Sequence, residues 1–169
     1  LGEVISGVNG RGADGRNWQL ITNFRERAGT ATLDSSTNTI TLTLTNGPAW
    51  VSGITGRGNA INFDGTDDIV TVPAASEGLF DFSVNSTFTV LVLFQNPSGG
   101  TDRIFASKVI WPTNGWVFRT GTSANRLGVY YRMGGGFHYY FAAGVSTVAF
   151  TTGWHTAALV FRGMIDKTE

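Results

Sequence analysis

Short segments with the pattern of β-strands recur about every ten residues along this chain, and Gly, Asn and Asp residues separate them. The clearest covers residues 39–45, where Thr alternates strictly with Ile40, Leu42 and Leu44 before Asn46 and Gly47 end it. Only residues 73–78 are compatible with a helical turn. The other predicted strands are residues 60–63, 69–72, 87–94, 103–108, 116–120, 126–132, 137–141 and 155–162. The turn at residues 64–68 is a strong signal for a hairpin between the first two of these. This spacing predicts an all-β sandwich or barrel.

Composition removes several classes of function. The 169 residues contain no Cys, which rules out disulfides, thiolate metal sites and cysteine nucleophiles. Twelve basic and twelve acidic residues cancel, so the broad positive field of a nucleic-acid or anionic-membrane binder is not expected, although a local patch survives such cancellation. No apolar run has the length of a membrane span. The length suits one domain.

The first 17 residues differ from the rest. They contain five glycines and lose apolar periodicity after Ile5. We interpret residues 1–17 as a glycine-rich arm or linker and residues 18–169 as one β-domain.

The order of the motifs resembles that of a known family. Residues 29–38 place an acidic-serine turn at Asp34 before a strand and then Trp50, and residues 58–73 contain Phe-Asp-Gly and an acidic pair between two apolar strands. Trp154 and His155 open a late strand. This series is similar to the LamG-like (concanavalin A-like) domains, whose fold is a two-sheet antiparallel jelly-roll β-sandwich. The resemblance therefore implies a jelly roll over residues 18–169.

The end of the chain departs from that family pattern. Family members continue past the Trp-His strand into a Val-Asp-Gly turn and closing strands, whereas this chain ends at Glu169. We expect a sandwich that is incomplete at its C-terminal end, with a sheet edge that invites pairing with a neighbour.

Four oxygen-bearing residues are candidate calcium ligands. Asp64, Asp67 and Asp68 form the densest carboxylate cluster, and Asn114 matches a position where some relatives of the family place a calcium ligand. The alternative is a turn in which Asp64 accepts hydrogen bonds from backbone amides, and we favour it.

A second candidate site lies on the strands between residues 115 and 142. We expect Leu127, Val129 and Tyr131, together with Phe137, Tyr139 and Phe141, to face the core. An outer face then carries Arg119, Tyr130, Arg132, His138 and Tyr140, and Trp111 lies in an adjacent loop. Such residues stack on sugar rings and bond their hydroxyls, but they are equally typical of a protein interface.

Catalysis finds little support, because no strand offers the facing carboxylates of glycoside hydrolysis. Two functions remain open. One is a non-catalytic carbohydrate-binding or adhesion module of an extracellular or surface protein, with calcium as its one candidate cofactor. The other is an assembly or display domain, such as a virion decoration, tail or fibre protein, that binds neighbouring subunits or forms a homo-oligomer.

Overall fold

The computed structural model describes residues 18–55, 58–82, 86–96, 103–110, 114–120, 127–133, 136–141 and 151–162. In these ranges the chain forms eleven β-strands and one 3₁₀ helix, Ala74–Phe80. The strands are β1 Ala31–Leu33, β2 Thr41–Thr45, β3 Ala49–Ser52, β4 Asn59–Asn62, β5 Ile69–Thr71, β6 Thr87–Asn96, β7 Ile104–Ile110, β8 Asn114–Thr120, β9 Leu127–Met133, β10 Gly136–Phe141 and β11 Gly153–Arg162. The predicted arm, residues 1–17, lies outside the described ranges.

The strands form four hydrogen-bonded groups, and every pairing in the first three is antiparallel. β1, β2 and β5 make a three-stranded sheet, and β3 pairs with β4. A four-stranded sheet has the order β10-β9-β8-β7, and β11 lies beside β6. The predicted all-β class is confirmed. Among the described residues no helix is long and apolar enough to cross a membrane.

The chain divides into two compact units. The first comprises the chain up to Phe80 together with Val92–Phe94, and the second comprises Asp81–Leu91 and the chain from Gln95 onward. The three-stranded sheet and the β3–β4 pair belong to the first unit, and the four-stranded sheet belongs to the second.

The core of the first unit follows from the alternation in β2. Its threonines are exposed while Leu42 and Leu44 are buried, as the period of two predicts for a strand with one covered face. Leu44 packs in a buried cluster with Phe24 and Ile61. Phe24 also meets Trp50 edge to face, with ring centroids 6.4 Å apart. The sequence-predicted inward set of this strand is confirmed.

The segment before β1 is fastened to the edge of that strand by carboxylates. The Asp34 carboxylate, 7 % exposed, accepts hydrogen bonds from the backbone amides of Ile21, Ser36 and Ile40 and from the Ser36 hydroxyl. Glu26 accepts from the Leu33 amide and the Thr32 hydroxyl. The acidic-serine turn of the sequence therefore closes one sheet edge with residues of the same chain.

Aromatic rings fill the second unit. Phe88 stacks on Phe82 at 4.1 Å between centroids and on Phe161 at 5.2 Å, and Trp116 lies 5.5 Å from Phe88. These rings join β6, β8 and β11 to the segment before β6. Aromatic pairs at such separations add stabilisation beyond the area that they bury.

One topological expectation is wrong. The acidic turn between β4 and β5 predicted a hairpin, yet β4 pairs with β3 and β5 pairs with β2. The Asp68 carboxylate accepts the Asp64 amide, and Asp64 accepts the Thr66 amide, so side chains satisfy this turn without a ladder between its flanking strands. Two short strands, β1 and β3, were also not predicted.

Candidate binding face and acidic turn

The register of the four-stranded sheet decides which of the predicted site residues share a face. Directly paired residues of an antiparallel sheet lie on the same face, and so do residues two apart on one strand. Ile104 pairs with Arg119, Val117 with Tyr130 and Gly115 with Arg132. Positions 119, 130 and 132 therefore share one face of this sheet.

We call this surface the Arg119 face and define it by three rows across β7, β8, β9 and β10. The rows are Ile104–Arg119–Gly128–Phe141, Ser107–Val117–Tyr130–Tyr139 and Val109–Gly115–Arg132–Phe137. These twelve positions carry two arginines, four aromatic residues and no Asp or Glu.

Two apolar side chains on β7 are exposed within this face. Ile104 is 61 % exposed and Val109 is 42 % exposed. On the neighbouring strand β8, Arg119 is half-buried and Val117 is buried. An aliphatic edge beside arginine and aromatic positions has the composition of recognition surfaces, where Tyr and Arg supply much of the binding energy.

His138 and Tyr140 do not belong to the Arg119 face. Position 138 pairs with Tyr131, which pairs with Trp116, and position 140 pairs with Val129, which pairs with Phe118. Trp116 is 6 % exposed and Phe118 is 1 % exposed, so these rows run through the most buried part of β8. The expectation that all five residues share an outer face is corrected: three share it and two lie in the opposite rows.

The error arose at the connection between β9 and β10. Met133 pairs with Gly136, and the same register pairs position 130 with position 139. The apolar pattern of each strand, taken separately, instead predicts that positions 137, 139 and 141 face inward. The run of three glycines at 134–136 left the loop length ambiguous.

Trp111 and Asn114 are the other predicted site residues on this part of the chain. Trp111 lies outside the described residues. Asn114 is the first residue of β8, paired with Ile110, rather than a residue of the preceding loop. It belongs to the second unit, whereas the three aspartates belong to the first.

The acidic turn, residues 64–68, brings its three aspartates together. Asp64, Asp67 and Asp68 each offer a carboxylate oxygen, and these atoms lie within 4.8 Å of one another. The predicted alternative is present as well, since Asp64 accepts the Thr66 amide at 2.7 Å and Asp68 accepts the Asp64 amide at 2.8 Å. Gly65 has a φ of +85°, which the turn requires and which glycine adopts without strain.

These donors fit a calcium ion in part. Hard carboxylate oxygens are the ligands that Ca²⁺ prefers, and the separation of the three atoms suits a shared ion. Ca²⁺ takes about six to eight oxygens, however, so backbone carbonyls or water would complete the shell. The two backbone hydrogen bonds hold the turn in shape without an ion.

Several of the other polar side chains have structural contacts. Asp34 and Glu26 satisfy backbone amides at the edge of β1, as described above. The His155 ring nitrogen lies 2.8 Å from the Thr151 carbonyl, four residues earlier. This contact gives His155 a structural role at the start of β11.

Comparison with known proteins found no match for this chain. No protein-family model matches the chain, and neither the search of curated proteins nor that of solved structures found a match. The likeness to LamG-like domains consequently stays a prediction from the sequence.

Proposed function

We propose that this chain is a non-catalytic carbohydrate-binding domain of an extracellular or surface protein, and that the Arg119 face is its contact surface. The main support for this proposal is the strand register, which puts positions 119, 130 and 132 on one face of the sheet. Tyrosine rings stack on the apolar faces of sugars, and guanidinium groups donate in-plane pairs of hydrogen bonds to oxygens.

The charge of this face specifies the class of carbohydrate. Its rows contain two arginines and no carboxylate. Arginine pairs best with planar or tetrahedral oxyanions, in particular carboxylates, phosphates and sulfates. The preferred ligand is therefore an anionic glycan, rich in uronate or sulfate, rather than a neutral one.

The finer architecture belongs to the same proposal. We infer a jelly-roll sandwich of LamG-like type. Two observations support it: the chain leaves the three-stranded sheet between β2 and β3, and it returns to that sheet between β4 and β5. Alternation between sheets along the chain is typical of sandwiches with Greek-key connections.

Calorimetric titration tests the carbohydrate proposal. The probes are a heparin oligosaccharide and a neutral cello-oligosaccharide of equal length. We expect micromolar to millimolar binding of the sulfated probe, at roughly −4 to −8 kcal/mol, and weaker binding of the neutral one. The affinity for the sulfated probe is expected to fall as salt is raised, because exposed charge pairs are screened. Equal binding of both probes would contradict the preference for anionic glycans. Binding of neither probe would contradict the carbohydrate-binding proposal.

Calcium is proposed as a structural ligand of the acidic turn. The resemblance to LamG-like domains and the grouping of three carboxylates support this part. The ion would hold Asp64, Asp67 and Asp68 and stiffen the connection between β4 and β5. It is independent of the Arg119 face, which lies in the other unit.

A second function is favoured by a separate observation. β7 is the terminal strand in the order of the four-stranded sheet, and it exposes Ile104 and Val109. Exposed apolar side chains on an edge strand favour association with another subunit. We propose an assembly or display role, as in a virion or fibre protein, as the alternative.

Sedimentation velocity over a range of protein concentrations separates the two functions. Under the assembly proposal the wild type associates and Ile104→Lys abolishes association. The matched control is Leu33→Lys, since Leu33 is 55 % exposed on the edge strand β1 of the first unit. A wild type that stays monomeric at every concentration would rule out self-assembly through β7.

A further inference from the structure

The sequence contains three Asn-Gly pairs, at residues 9–10, 46–47 and 114–115. An asparagine followed by glycine is chemically labile, because the glycine nitrogen has no neighbouring Cβ to hinder its attack on the asparagine side-chain carbonyl. The reaction needs only water, so it depends on how freely the backbone at each pair moves. The first pair lies outside the described residues.

The pair at 46–47 lies in an exposed turn directly after β2. Asn46 has a φ of 68° and Gly47 has a φ of 97°, both in the left-handed region. A Cβ built on Gly47 would meet no heavy atom within 4 Å, so the surroundings of this residue are open. The Asn46 side chain is held through its Nδ2, which donates to the carbonyl oxygen of Asp67 at 2.9 Å.

The pair at 114–115 lies inside the four-stranded sheet. Gly115 pairs with Val109 on one side and with Arg132 on the other. A Cβ on Gly115 would lie 2.5 Å from the Lys108 carbonyl oxygen, so the neighbouring strand packs directly against this backbone. A ladder on both sides has to open before Gly115 can rotate toward a side chain.

We propose that Asn46 is a site of spontaneous deamidation and that the fold protects Asn114. The Gly47 backbone nitrogen loses its proton and bonds to the Asn46 Cγ, and the bond from Cγ to Nδ2 breaks as ammonia leaves. Water then opens the resulting succinimide at either carbonyl. The products are aspartate and isoaspartate at position 46, and no oxidant or reductant takes part.

The modification changes the acidic turn as well as residue 46. The product carboxylate cannot donate to the Asp67 carbonyl, so the hydrogen bond that links the end of β2 to that turn is lost. A further negative charge then lies beside Asp64, Asp67 and Asp68. Modified chains therefore accumulate as the protein ages, and each one gains a negative charge at the acidic turn.

Peptide mapping of aged protein tests this inference. The full chain is incubated at mildly alkaline pH, once folded and once in urea, and aspartate plus isoaspartate are counted at both positions. In the folded chain we expect products at position 46 at least about tenfold faster than at 114, because a ladder on both sides restrains Gly115. In urea the two rates should become similar, and Asn46→Gln should remove the product at 46 alone.

Two results would overturn the inference. One is deamidation at 114 as fast as at 46 in the folded chain. The other is a product at 46 in urea with none in the folded chain over the same period, which would show that the hydrogen bond to Asp67 protects Asn46 fully.

Discussion

At the scale of single residues, backbone conformation identifies strained positions that a sequence pattern does not indicate. Thr39 is exposed and has a φ of 52°, although a β-branched side chain is strained in the left-handed region. It precedes Ile40, whose amide bonds to the Asp34 carboxylate. The strict Thr alternation of residues 39–45 included Thr39 in the strand, but the strand begins at Thr41.

Replacement of Thr39 by Asn, which tolerates the left-handed region, should raise the free energy of unfolding by about 1 kcal/mol. Urea denaturation measures this change. Thr41→Asn is the matched control, because Thr41 is the first residue of β2, where Asn is a poor strand residue. A Thr39→Asn variant less stable than the wild type would contradict the account of strain.

The second prediction at this scale concerns the buried carboxylate. Asp34→Asn keeps the shape of the side chain but replaces one acceptor oxygen by a donor that faces backbone amides. We therefore expect the free energy of unfolding to fall by about 2–3 kcal/mol. Asp67→Asn, at an exposed aspartate, should cost under about 0.5 kcal/mol without added metal. Equal losses for the two variants in urea denaturation would show that the bonds to Asp34 contribute little.

At the scale of elements, most strands could be predicted from the sequence, but their pairing partners could not. Alternation located β2, and apolar runs located β6 and β8, each within two residues at either end. Pairing depends on loops and on contacts distant in sequence. The acidic turn resembled a hairpin yet leads to another sheet, and the facing of β10 depended on the length of one glycine-rich loop.

The aromatic cluster is the element-scale feature on which the second unit depends. Phe88 is 8 % exposed and contacts the rings of Phe82, Trp116 and Phe161. Phe88→Ala should lower the free energy of unfolding by about 3 kcal/mol or more, because a cavity remains among rigid rings. Thr89→Ala, at the exposed next residue, should cost under about 1 kcal/mol. A similar small loss for both would mean that the rings repack.

The acidic turn gives a separate prediction. If it holds Ca²⁺, the Tm of the wild type should rise with Ca²⁺ concentration, because an ion that binds the folded chain stabilises it by mass action. Asp67→Asn should reduce the rise, whereas Glu77→Gln in the 3₁₀ helix should leave it unchanged. A Tm that is independent of Ca²⁺ in the wild type would remove calcium from the proposal.

At the scale of the whole molecule, the zero net charge of the sequence conceals an uneven surface. Charges of both signs cancel over the chain, yet the Arg119 face has two arginine positions and no carboxylate. The sequence identified three of its residues from strand alternation alone. It missed Ile104 and Val109, because alternation along β7 does not show which of its two faces is left uncovered.

The central claim is that recognition takes place on the Arg119 face and not on the opposite face of the same sheet. Tyr130 and Tyr140 are a matched pair for testing it, since they are the same residue type on adjacent strands and their register rows lie on opposite faces. Titration of Tyr130→Ala and Tyr140→Ala with the heparin oligosaccharide measures the difference directly. The account predicts that Tyr130→Ala weakens binding at least about tenfold while folded Tyr140→Ala binds like the wild type. A loss of binding in Tyr140→Ala with normal binding in Tyr130→Ala would contradict it.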